Sequence, residues 1–98
     1  MDQELVTRLL TALGDPNRQN IVMLLGQKGR LNVGDIASHF RISRPAISHH
    51  LKILKDAHIV TAEKQGQETF YALDGDRVVK DMQAVTDIIA SCVKNGPQ

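Results

Sequence analysis

Apolar side chains near the start of the chain recur at helical spacing. Leu5, Val6, Leu9, Leu10 and Leu13 follow a 3.6-residue period, which predicts an amphipathic helix over residues 3–13. In the "GDP" that follows, Gly14 can stop this helix, Asp15 can cap the next, and Pro16 suits a first helical position. The second helix runs through NRQNIVMLLGQ with Ile21, Leu24 and Leu25 apolar, ended by Gly26 and Gly29. LNVGDIASHF reads as a short third helix capped by Asn32, with Val33, Ile36, Ala37 and Phe40 on one face. Arg41 and Ile42 make a tight link to Ser43, an N-cap, with Arg44 and Pro45 in the first turn of a fourth helix that reaches about Ala57. Two helices so closely joined form a helix-turn-helix over about residues 33–57.

Beyond this point the period changes. IVTAEK and TFYAL are strand-like, and the QGQE between them holds a turn glycine, so a β-hairpin, or wing, is predicted over about residues 59–73. Asp74, Gly75 and Asp76 open a last helix over about 76–95. The expected fold is mainly α with a small β-hairpin (α+β), in the order α-α-α-α-β-β-α, as one domain over residues 1–98.

Composition sharpens this reading. Apolar residues make up 42%, but Phe40, Phe70 and Tyr71 are the only aromatics, so the core must be Leu, Ile, Val and Ala. A chain of 98 residues buries a modest core, and its stability is expected to be small or shared with a partner. The net charge of +1 is unevenly placed: seven bases and three acids give +4 between residues 28 and 64, leaving −3 for the flanks. A basic centre suits a polyanion partner. Cys92 stands alone, so no intrachain disulfide can form. No signal peptide or bilayer-length apolar run is present, so a soluble cytoplasmic protein without membrane insertion is expected.

Two adjacent histidines in the fourth helix raise the question of a metal site or a catalytic base. Ile47, Leu51 and Leu54 share its buried face, and His50 flanks them, which makes it a packed, hydrogen-bonded histidine. The outer surface presents Arg44, Ser48, His49, Lys52 and Lys55, with no acid between residues 41 and 55. Neighbouring side chains on a helix diverge by about 100°, so the two imidazoles do not share an ion easily. Arg, Ser and His can read base edges and Lys can pair with phosphates, so this face fits DNA. The plainer alternatives are an idle solvated His49 and an ordinary charged surface for Lys52 and Lys55.

Three motifs carry a family resemblance. LTALGDPNRQNIVMLL (10–25), DIASHFRISRPAISHHLKIL (35–54) and GQETFYAL (66–73) resemble, in order and spacing, the opening, helix-turn-helix and wing of the ArsR/SmtB family of bacterial winged-helix repressors. Within the family the chain looks most similar to the autorepressor type that lacks metal ligands. The resemblance implies that Ser43, Arg44, Ser48, His49, Lys52 and Lys55 meet DNA, with Ser43 also a helix cap, and that Lys64, Gln65 and Gln67 of the wing reach the backbone or minor groove. Many relatives carry two basic residues after the wing glycine. Here Gln67 and Glu68 follow it, and Glu68 would repel phosphate unless it points away.

Metal sensors of the family often carry Cys-Val-Cys where this chain has Asn32, Val33 and Gly34, and others use histidines of the last helix, which here has none. Zinc or a thiophilic ion would lack its usual ligands. Sulfur-responsive relatives need two cysteines. No catalytic motif is found, so neither an enzyme nor a cofactor is expected. Val78, Met82, Val85, Ile89 and Cys92 repeat at spacings of four and three, a helix–helix seam. With Leu5 and Leu9 they are expected to join two copies through the first and last helices, as family members do; intrachain packing is the alternative. The expected function is a homodimeric, sequence-specific, autoregulatory repressor on an inverted-repeat operator, with an unidentified protein or small molecule as its signal. Its rivals are release by an unrecognised metal or oxidant, or a winged-helix adaptor that binds protein and not DNA.

Overall fold

The structure, a computed structural model, describes residues 2–97; Met1 and Gln98, at the ends of the expected domain, lie outside the described residues. Helix α1 spans Gln3–Leu13, α2 Pro16–Lys28, α3 Val33–Ala37, α4 Arg44–Asp56 and α5 Gly75–Lys94. Strands β1 (Leu31–Asn32), β2 (Val60–Gln65) and β3 (Glu68–Leu73) form one antiparallel sheet in the order β1-β3-β2. The architecture is the expected winged helix-turn-helix, with one addition. The two residues before α3 pair with the wing, Leu31 opposite Tyr71 and Asn32 opposite Phe70, and turn the hairpin into a three-stranded sheet.

The predicted caps form. Asp15 accepts the backbone N–H of Arg18 at 3.0 Å, Asn32 that of Asp35 at 2.8 Å, and Ser43 that of Ala46 at 3.2 Å. Two boundaries move. α2 passes through Gly26, since one glycine inside a helix costs only about 1 kcal/mol. It ends at Gly29, whose φ of 81° suits glycine and whose N–H reaches Leu25. α3 stops at Ala37 rather than Phe40. There the Ser38 hydroxyl donates to the Asp35 carbonyl at 2.6 Å, and the next amides bond three residues back. The turn of the helix-turn-helix therefore runs from Ser38 to Ser43.

α4 ends in a Schellman turn built around His58 (φ 61°). Ile59 N–H returns to Leu54 and His58 N–H to Lys55, while Leu54 and Ile59 bury their side chains together. This turn aims the chain into β2. Leu9, Ile21, Leu25, Ile36, Ile47, Leu51, Leu54 and Ile59 are fully buried and draw α1 to α4 and the start of β2 into one core.

That core corrects part of the expected seam. Leu9 is buried within its own chain, as is Val85 at 9% exposure, and Val78 and Met82 pack half-buried against the same cluster. Leu9 and Val85 thus spend nearly all of their surface inside one chain and belong to its core. Ile89 and Cys92 are exposed and Leu5 is half-buried. The sequence period could not separate the halves of α5, because the same stripe turns from the core to solvent as the helix runs past the domain. No described helix is long and apolar enough to cross a membrane.

Candidate nucleic-acid interface

α4 is positioned by its buried face. Ile47, Leu51 and Leu54 fix its rotation, and the opposite face leaves Arg44, Ser48, His49, Lys52 and Lys55 in solvent. Ser43 is exposed at the N-terminus, where its hydroxyl and the first free amides can meet an anion.

Arg44 folds across the start of α3. Its guanidinium nitrogens lie 4.0 Å from the point a Cβ would occupy on Gly34. Arg44 and Ser48 form one wall of a cleft of about 300 Å³, and Gln67, Glu68 and Thr69 of the wing form part of the other. The structure thus brings the start of α4 and the wing tip together. Lys64, Gln65 and Gln67 project around the two-residue turn, where Gly66 comes first with φ 61°.

Two expected contributors stand apart. Lys52 Nζ is held by Asp56 at 2.9 Å, and that hydrogen bond keeps the Asp56 carboxyl below its ordinary range, so the acid stays charged beside the lysine. Both are well exposed, so the pair is weak and can open toward a phosphate. Lys55 lies near the far end of α4, beside Arg8 and His58, about 16 Å along the axis from Arg44.

The histidine question is resolved by packing. His50 Nδ1 lies 3.2 Å from Arg18 Nη1 and must accept, because a guanidinium can only donate. Arg18 also donates to the Ala12 carbonyl at 2.8 Å and the Thr11 carbonyl at 3.2 Å, while its backbone N–H caps onto Asp15. Asp15 Oδ2 stands 3.9 Å from His50 Nδ1. The Arg18 backbone N–H, with the Arg18 guanidinium nearby, holds the Asp15 carboxyl below its ordinary range. His50 therefore ties α4 to the joint between α1 and α2, and its ring is 6.3 Å from that of His49. Sequence reasoning missed Arg18. The legible signal was a base at the third helical position of α2, where a capping box has an acid or amide. Among the described residues, no three His, Cys, Asp or Glu side chains converge as a metal site would need.

Comparison with known proteins adds to this geometry. Residues 15–62 match the family model described as "Bacterial regulatory protein, arsR family". The transcriptional repressor SdpR of Bacillus subtilis is 44% identical over 69 residues, covering 70% of this chain and 76% of that protein. An uncharacterized HTH-type transcriptional regulator of Methanocaldococcus jannaschii is 39% identical over 85 residues, covering 87% and 96%. The solution structure of a homodimeric winged helix-turn-helix DNA-binding domain from Mycobacterium bovis superposes with a TM-score of 0.71 at 28% identity, over 91% of this chain and 81% of that one. With sequence, motif order and winged fold in agreement, this chain belongs to the arsR family of bacterial regulatory proteins.

Proposed function

We propose that this chain is a cytoplasmic, homodimeric transcriptional repressor that binds an inverted-repeat operator. The observation that carries this reading is the outward face of α4, whose polar and basic side chains stand in solvent while its apolar face is fully buried. The repressor and the homodimeric DNA-binding domain named above are similar to it along most of its length. Arg44, Ser48 and His49 read base edges from the first turns of α4, which is the part of a recognition helix that enters the major groove. Ser43 accompanies a phosphate at the helix N-terminus, Lys52 and Lys55 neutralise phosphates further along, and Lys64, Gln65 and Gln67 touch the flanking backbone or minor groove.

Two copies meet through the exposed apolar end of α5 and the free side of α1, so two recognition helices address half-sites about one DNA turn apart. Repression of the chain's own promoter fits this design. The test is selection of duplexes from a random-sequence library followed by gel shift. Recovery of an inverted repeat bound by two chains is expected. A protein that retains no duplex would instead be a winged-helix adaptor for protein partners.

A further inference from the structure

By sequence, Glu68 is an acid at the tip of a DNA-facing wing. In the structure it is held. We propose that Asn32 and Glu68 form a clamp that sets the wing against the recognition helix, and that operator affinity depends on this clamp although neither residue reads a base. The proposal rests on the reading of α4 and the wing as the DNA-binding surface.

Asn32 uses both ends of its amide. Oδ1 accepts the Asp35 N–H at 2.8 Å and closes the N-terminus of α3, while Nδ2 donates to Glu68 Oε1 at 2.9 Å. The same residue thus caps the helix-turn-helix and grips the first residue of β3. The grip supports a joint that is weak by itself, since β1 supplies only two residues to the sheet. Just before β1, Arg30 stacks 4.2 Å from the ring centroid of Phe70, the residue that pairs with Asn32. The junction is therefore fastened by an ion–ring contact and by a charge-assisted hydrogen bond.

The clamp borders the cleft between Arg44 and the wing, so a change in wing angle changes the distance from the reading residues to Lys64, Gln65 and Gln67. It also turns the Glu68 carboxylate toward α3. Asparagine suits both tasks. Serine or aspartate could cap the helix, but serine is too short to hold Glu68 as well, and aspartate would set a second carboxylate against it.

The test uses the full chain and a duplex selected with the wild-type protein. Asn32→Ser keeps a capping residue and the net charge but removes the reach to Glu68. Operator affinity should fall about threefold to tenfold, the scale of one ordinary, solvent-exposed hydrogen bond. The amides of residues 68–71 should exchange faster in the free protein, with the melting temperature nearly unchanged. Asn32→Asp with Glu68→Gln swaps donor and acceptor at unchanged net charge, and should restore both affinity and slow exchange. Unchanged exchange or unchanged affinity in Asn32→Ser would overturn the clamp, as would a double variant no better than Asn32→Asp alone. Arg44→Ala, measured alongside, separates the two readings. Wild-type affinity there would sink the assignment of the base-reading face. The clamp would still be decided by Asn32→Ser, with faster exchange and weaker binding supporting it and any other pair of results overturning it.

Discussion

The outward face of α4 and the C-terminal half of α5 are both bare, and their chemistry is opposite. α4 exposes Arg44, Ser48, His49 and Lys52 over a fully buried apolar face. That half of α5 exposes Ile88, Ile89 and Val93, and Val85 is the only buried residue of the helix. A charged, hydrogen-bonding face loses little in water and gains specificity when a polyanion arrives. A row of exposed aliphatic side chains is costly in water and is relieved by another apolar surface. The contrast fits the partners proposed above, DNA for α4 and a second copy of the chain for α5.

The largest effect should come from breaking the apolar surface. Ile89 is 58% exposed in the single chain, whereas Val85 lies in the core. Ile89→Asp should split the dimer and leave each chain folded, at a cost on the order of 4 kcal/mol for two stranded carboxylates. Val85→Asp should unfold the chain outright, so it cannot by itself report on the interface. Sedimentation and thermal melting distinguish the two variants. A stable Ile89→Asp dimer with unchanged operator affinity would mean that the end of α5 is not the seam.

Effects on the polar surface should be smaller and leave the dimer intact. Arg44→Ala and His49→Ala should each weaken specific binding by about 1–3 kcal/mol. Wild-type affinity in both would show that base reading lies elsewhere. Lys52→Ala should weaken binding to all sequences and reduce the salt slope by about 1. Its cost should be below that of Arg44→Ala, because Lys52 must first leave Asp56. Asp56→Asn removes that competitor and should raise affinity slightly for every sequence, since an exposed pair is worth at most about 1 kcal/mol. Asp56 has a lowered pKa, so the competition persists down to the acid end of the carboxylate range. A Lys52→Ala loss confined to the selected operator would contradict a phosphate role.

Residue patterning made much of this legible. Asp15, Asn32 and Ser43 cap the three helices for which they were read as caps, because a short polar side chain before a helix has a local task. His50 was legible as packed, though its partner Arg18 was not, since their bond joins residues 32 apart. The strand at Leu31 and Asn32 was also hidden. Two residues carry no period, and they pair only because the wing folds back beside them.

Residue types at short separations were enough to read the five helices and the hairpin in order, the caps Asp15, Asn32 and Ser43, the buried face of α4 and the family. Three other matters depended on how the chain packs. It placed Leu9 and Val85 inside the chain, because burial depends on which surface an element meets. It joined Lys52 to Asp56, a contact that spacing permits but does not require. It also paired Glu68 with Asn32, because a side chain's direction is set by the neighbour that chain folding brings within hydrogen-bond reach.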